Sequence, residues 1–412
     1  MPPRTEQATK RNITVQERIG VLDVLRGIAL FGMFLVHFKD FSSGGGGIDA
    51  FYTKIVELLF EERFWAMFGI LFGVSFAIQF RRAEARGEPY VAKYLRRMAA
   101  LAVFGFIAEA VFGFNVLLSY AIWGIPLILF RKWSPRALVV AVVLSAASGS
   151  IYAIARTAYG VATEGEQAYK GEQKALAERN ASFRDAYNTA SNDPSYSKVF
   201  SSRLEHMRWF YAQPFSFLPV NTLTLFLLGL LALRLGIFDR PEEHRRLIVG
   251  LMIFGLASWL VAIWLSRNPF PNAPSSVVLQ EAVARVGNGF GLIRPMWLTF
   301  TYMGTVLLLV AHNPQWLRHL ALFGYTGRMA LTNYMIQIAI LDLVFTNHGL
   351  GVSLTPIEGL AAAIGLFLID AAFSKWWLAR FQYGPLEWLW RSITYWKKAD
   401  QLIIARPPLE HI

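Results

Sequence analysis

Three side chains in one apolar stretch are the first that could do chemistry. Within RIGVLDVLRGIALFGMFLVH, residues 18–37, Asp23, Arg26 and His37 interrupt an otherwise apolar run from Ile19 to Phe38. About twenty such residues cross a bilayer core as a helix, and ionisable groups at that depth are costly and mark function. Asp23 and Arg26 stand three residues apart, so they share a helical face and neutralise one another. Arg26 and His37 stand eleven apart, about three turns, which lets all three line one inward-facing stripe. A histidine so placed suits general base catalysis, and a neighbouring carboxylate would orient its ring. Glu61 and Glu62 open the next apolar span, at the depth of His37 once the two helices run antiparallel, and are expected to supply that carboxylate. The structural alternative is an Asp23–Arg26 pair at a helix entrance, a His37 facing headgroups and an ordinary charged start to the second helix.

A second apolar run, FGYTGRMALTNYMIQIAILDLVF, is interrupted by Arg328, Asn333, Gln337 and Asp342. Asn333 and Gln337 lie one turn apart and face the same way, either into a site or across a helix contact as packing glue. Arg328 begins the run, and its planar guanidinium suits phosphate or pyrophosphate, although arginines at span ends also serve topology. A third stretch, YGPLEWLWRSITY, follows the last apolar run. Its Trp388, Trp390 and Tyr395 suit a helix lying in the membrane interface, with Glu387 and Arg391 as an i, i+4 pair.

These groups need a helical frame, and the composition supplies one. Of 412 residues, 55% are hydrophobic, 15% aromatic and 17% charged, more apolar and less charged than a soluble domain. The fold class expected is all-α, a polytopic integral membrane helix bundle. The net charge of +12 does not point to nucleic acid, because the basic residues lie between apolar spans and not in one patch. The absence of cysteine excludes disulfides, a thiol nucleophile and thiolate metal sites.

Spans are expected at about 19–38, 64–80, 98–114, 116–130, 137–156, 217–233, 247–265, 290–311, 320–345 and 357–377. Residues 1–17 read as a cytoplasmic tail, 18–380 as the transmembrane bundle and 381–412 as a cytoplasmic interfacial tail. The charges inside the first span spoil a signal-peptide core, so it is expected to be retained. The connection RRAEARGEPYVAKYLRR holds six basic residues against two acidic, and Arg131, Lys132, Arg136, Arg234, Arg240 and Arg318 fall on the same side. Residues 157–212 carry seven of each sign, which fits an exported helical loop whose end, MRWFYAQPFSF, forms part of a lid. About ten spans with both termini cytoplasmic satisfy this alternation.

Four stretches, RIGVLDVLRGIALFGMFLVHF, FGILFGVSFAIQF, FGYTGRMALTNYMIQ and FQYGPLEWLWRSITYW, together resemble the YeiB-like family of bacterial membrane proteins, a domain of unknown function. The resemblance covers most of the chain outside the 157–212 loop, and GPLEWLWR and GRMALTNY are its specific parts. That family is similar to the transmembrane acyltransferases, among them heparan-glucosaminide acetyltransferase and the O-acetyltransferases of bacterial surface glycans. The resemblance implies an inner-membrane bundle that takes an acyl group, above all acetyl, from cytoplasmic acyl-CoA and delivers it to an extracytoplasmic glycan, lipid or small molecule. Arg26 and His37 match the arginine-to-histidine spacing in the first helix of the surface-glycan enzymes. The soluble-acyltransferase motif of histidine, four residues and aspartate is absent at His37, because Ser42 takes the last position.

On this reading acetyl-CoA is the donor, no metal takes part, and the CoA phosphates lie near Arg18, Arg96, Arg97 or Arg328, with Asn333 and Gln337 also assigned to the donor site. The pantetheine arm runs along the first helix, where Arg26 to His37 spans roughly 16 Å. His37 then deprotonates the acceptor, oriented by Glu61 or Glu62, while Asp23 and Arg26 complete the polar stripe. The expected partners are the lipid bilayer, acyl-CoA and the acceptor, a homodimer being compatible with the chain. The rival reading is a transporter or exporter of a small amphipathic metabolite, with the intramembrane Asp, Arg and His as a proton relay. Against it, the sequence shows no matched pair of interrupted helices. A noncatalytic membrane scaffold is a third.

Overall fold

The protein is seen in a computed structural model that describes residues 15–114, 116–212, 220–267, 276–293 and 296–396. The regular elements among them are helices, starting with α1 (Val15–Asp40), α2 (Ile48–Leu59), α3 (Arg63–Ala85) and α4 (Val91–Phe112). Gly113 ends α4 in the left-handed region, φ 83°, and the chain turns straight back into α5 (Val116–Gly124). Pro126 then opens a 3-10 turn, Pro126–Phe130, so the span expected at 116–130 is a short α-helix and a tighter continuation. Ser134 caps α6 (Pro135–Glu164) by accepting from the Ala137 amide at 3.3 Å, with Pro135 at the first helical position.

The region 157–212 is helical as expected. It holds the end of α6, then α7 (Glu166–Ser191) and α8 (Tyr196–Ala212), which pack against each other. Arg203 of α8 donates to the Val111 carbonyl and pairs with Asp342, whose other oxygen faces His348 Nε2 at 3.1 Å. This cap is therefore fastened to the bundle by buried charge. The rest of the stretch expected to form part of a lid, 213–217, lies outside the described residues, as do 1–14 and 397–412.

The remaining helices are α9 (Val220–Arg234), α10 (Arg245–Arg267), α11 (Val277–Ile293), α12 (Met296–His312), α13 (Trp316–His319), α14 (Ala321–Arg328), α15 (Ala330–Phe345), α16 (Pro356–Leu378) and α17 (Pro385–Tyr395). Thr355 and Glu358 form a capping box at the start of α16. Two differences from the expected spans bear on the site. The connection between the first two expected spans, 39–63, contains α2, and buried Arg63 bonds its guanidinium to the Glu61 and Leu58 carbonyls, tying α2 to α3. The span expected at 320–345 is two helices, α14 and α15, meeting at Met329 with a bend of 84°.

α1 is the axis of the bundle and packs against α14, α16 and α3. Its seam with α14 depends on glycine: a Cβ on Gly27 would overlap the Phe323 carbonyl, and one on Gly327 the Asp23 carbonyl. Around it Val21, Leu25, Leu30, Met67, Leu71 and Leu230 are fully or almost fully enclosed. Among the described residues four helical segments are long and apolar enough to cross a membrane, and the bent α14–α15 pair taken as one span makes a fifth. Shorter apolar helices lie at Val116–Phe130, Thr222–Arg234 and Leu298–His312. Exposed Val139, Val143, Leu144, Leu260 and Leu368 give the bundle an apolar exterior suited to lipid. The protein is an all-helical integral membrane bundle.

Candidate functional site

Asp23 and Arg26 form the pair that their spacing predicts, with Nη1 donating to Oδ1 at 2.6 Å. The second arm of the guanidinium reaches α3 and donates to the Ser75 hydroxyl at 2.7 Å. Arg26 thereby faces a cavity of about 400 Å³ between α1, α3, α4, α5, α15 and α17. Arg97, Arg328 and Arg391 share its walls with Arg26, and the deeper lining is apolar and aromatic, including Met33, Trp65, Phe72 and Tyr120.

The arginines are held differently. Arg97 lies over the Trp390 ring at 3.6 Å, while the Trp390 indole donates to the Arg97 carbonyl at 2.9 Å. Arg391 stacks between Tyr383 and Tyr395, at 5.0 and 4.9 Å. Arg328 stands at the corner where α14 turns into α15 and makes no hydrogen bond or ion pair among the described residues. Stacked guanidiniums keep their charge and their in-plane donors, so this part of the cavity attracts anions.

One carboxylate lines the same cavity, and it is already engaged. Glu387 accepts from the Leu331 and Thr332 amides at 2.7 and 3.0 Å and from the Thr332 hydroxyl at 2.6 Å. It caps the amino end of α15, where unpaired N–H groups favour negative charge. The expected Glu387–Arg391 pair does not form, because the acid turns inward to that helix end. Burial pushes the Glu387 carboxyl above the ordinary carboxylate range, against the pull of these hydrogen bonds.

At the far end of the polar stripe, His37 Nδ1 lies 3.3 Å from Gln337 Nε2, and its ring leans on Phe114 at 4.9 Å. Neither Glu61 nor Glu62 touches it. Glu62 adopts a left-handed φ of 67° at the α3 start and is exposed, while Glu61 acts on Lys39. The cavity lining reaches Met33, one turn before His37. Asn333 is enclosed and donates to Ser374 at 2.9 Å and to the Thr326 carbonyl at 3.2 Å, which makes it a clamp between α14, α15 and α16. Of the arginines assigned to the donor, Arg97 and Arg328 line the cavity and Arg96 does not; the side chain of Arg18 lies outside the described residues.

Two functional candidates escaped the sequence reading. Glu109 of α4 is only 3% exposed, accepts from the Tyr211 hydroxyl at 2.6 Å and leaves Oε1 without a partner. Tyr334 of α15 lines the cavity with an unpartnered buried hydroxyl. A lone glutamate inside AVFGFIAEAVF was the available signal for the first.

Comparison with known proteins divides the site into two parts. A family model described as a protein of unknown function (DUF418) matches residues 232–397. Another, described as heparan-alpha-glucosaminide N-acetyltransferase, catalytic, matches residues 18–162. The first holds Arg328, Gln337 and Glu387, the second Arg26, His37, Arg97 and Glu109, and the cavity lies where the two meet. The chain is 30% identical over 403 residues to the uncharacterized protein YxaH of Bacillus subtilis, spanning 92% of this chain and 94% of that one. It is 26% identical over 408 residues to an uncharacterized 39.9 kDa protein of Bacillus acidopullulyticus, 95% and 98% of the two chains. Over 68 residues it is 46% identical to the uncharacterized protein YeiB of Escherichia coli, 16% of this chain and 18% of that one. No solved structure matches it.

Proposed function

The chain belongs to the YeiB-like (DUF418) family, and from that premise we propose that it is a membrane acyltransferase. It takes an acyl group, above all acetyl, from cytoplasmic acyl-CoA and passes it to an extracytoplasmic glycan, lipid or small-molecule acceptor in the bacterial inner membrane. The observation that carries the reading is the polarity of the cavity: Arg26, Arg97, Arg328 and Arg391 in walls that are otherwise largely apolar. CoA has the matching polarity, since its phosphates are anionic and its pantetheine arm is thin and uncharged. The acetyltransferase-like match over residues 18–162, which contains α1 and His37, supports the same reading.

In this mechanism the arginine-lined end faces the cytoplasm and the thioester points along α1 towards His37. The acceptor X–H attacks the thioester carbonyl, the X–C bond forms and the C–S bond breaks. His37 takes the acceptor proton, and the departing thiolate recovers one as the free thiol. Gln337 takes over the orienting role: its amide Nε2 lies 3.3 Å from His37 Nδ1, and turning that amide end for end would let its oxygen accept from Nδ1–H and leave His37 Nε2 as the base. General base catalysis of this kind contributes ~10²- to 10⁴-fold.

Calorimetry of the full chain in detergent or nanodiscs with acetyl-CoA tests the reading; binding is expected, and none by well-folded protein overturns it. The bend at Met329 favours a second reading, because discontinuous helices beside a polar cavity also build transport sites. A transporter would bind no acyl-CoA and would move its solute in response to a pH gradient.

A further inference from the structure

Glu109 and Tyr334 are not used by this donor-side mechanism, yet each leaves a buried polar atom unpaired. Glu109 is 3% exposed and Tyr334 5% exposed, and among the described residues neither Glu109 Oε1 nor the Tyr334 hydroxyl has a hydrogen-bond partner. Buried polar atoms are normally satisfied, so two orphans side by side call for a partner. The helices that carry them, α4 and α15, pack on each other, Tyr334 lines the cavity, and Phe114, just beyond α4, leans on the His37 ring. Tyr334 and Gln337 are three residues apart on one helical face, about 5–6 Å between Cβ atoms. Tyr334 therefore sits beside the His37–Gln337 pair, with Glu109 on the helix packed against it.

We propose that Glu109 Oε1 and the Tyr334 hydroxyl form a second ligand subsite, which binds an acceptor bearing at least two hydrogen-bond donors, a polyol or an amine, and rejects anionic acceptors. The inference rests on the acyltransferase reading. A carboxylate oxygen can only accept, so the ligand must donate; a phenol can do either. One X–H of the ligand is held by Glu109 while another points to His37. The polarity opposes that of the arginine-lined region, so donor phosphates and acceptor sort to different ends of the site.

The cap supplies a stand-in for this ligand. The Tyr211 hydroxyl from α8 already donates to Glu109 Oε2 at 2.6 Å and also bonds Ser119. Tyr211 is itself partly exposed, so an acceptor arriving beneath the cap meets this hydroxyl first and displaces it.

The test uses full-length protein in liposomes, with acetyl-CoA on the arginine-lined side and glycerol, glycerate or ethanolamine as acceptor probes. Glycerol and ethanolamine should be acetylated and glycerate should not. Glu109→Gln should raise the half-saturating ethanolamine concentration about tenfold or more while leaving acetyl-CoA affinity unchanged. Tyr334→Phe should raise it less, and Tyr211→Phe should lower it. Equal use of glycerate and glycerol, an unchanged half-saturating concentration in Glu109→Gln, or no acetylation of either glycerol or ethanolamine by protein that binds acetyl-CoA overturns the subsite. Wild-type protein that binds no acetyl-CoA overturns the donor reading, and the subsite's role in transfer with it.

Discussion

The Thr332 hydroxyl donates to Glu387 at 2.6 Å across 55 residues of sequence, joining the first turn of α15 to α17. The same carboxylate holds two backbone amides of α15, so one side chain fixes the bend at Met329 and one wall of the cavity.

Glu387→Gln should lower the melting temperature, since loss of charge-assisted bonds to a buried helix end costs ~1–3 kcal/mol. The folded-state carboxyl is raised by burial above its ordinary value of 4.5, so the folded chain holds its proton to higher pH than the unfolded chain does. Stability contributed by this group is thus complete below that ordinary value and is lost as pH rises through the folded one. A wild-type melting temperature that falls over this window more steeply than that of Glu387→Gln is the expected result; parallel curves would refute it.

Asp23 and Arg26 should behave as one electrostatic unit. Replacing either with alanine leaves the other charge in a low-dielectric setting and should cost ~2–3 kcal/mol, less than doubled when both are replaced. A double-mutant cycle in detergent measures this, and simple additivity would remove the coupling.

The membrane orientation is open to direct labelling because the chain has no cysteine. Cysteines placed at Ser195 and Ala85 should react with an impermeant reagent from opposite sides, Ser195 from outside intact cells. Same-side labelling would overturn the proposed arrangement.

Donor and acceptor chemistry should separate by mutation. His37→Ala should abolish acetyl transfer and leave acetyl-CoA binding nearly intact, because the base acts on the acceptor. Arg328→Ala should weaken acetyl-CoA binding about tenfold, with less effect on turnover at saturating donor. Calorimetry beside a radiolabel transfer assay on native membranes reads both.

Local spacing made the Asp23–Arg26 pair legible, because three residues on a helix determine a contact whatever surrounds it. It could not show Ser75 beneath that guanidinium or Thr332 beneath Glu387, which depend on how separate helices pack. The all-helical membrane class followed from composition, and the helical 157–212 region from its polarity and length. The break at Met329 was hidden, since TGRMALTN contains no proline and a continuous helix fits its pattern equally well. Pairing of His37 with Glu61 or Glu62 failed for a related reason. The antiparallel argument set depth but not azimuth, and the left-handed turn at Glu62 directs the chain elsewhere.

The 30 residues of α6 make a rod of about 45 Å, against about 30 Å for a bilayer core. Only 11% of its apolar window is buried within the protein, so most of its flank faces lipid while its contacts with α9 and α11 hold it to the bundle. Membranes differ in thickness by several Å with composition, and a helix such as Pro356–Leu378, of 23 residues, has less length to spare. The extra length of α6 carries one continuous rod past the thickness of a hydrocarbon core, so that the same helix is both a wall of the bundle and the base from which α7 folds back.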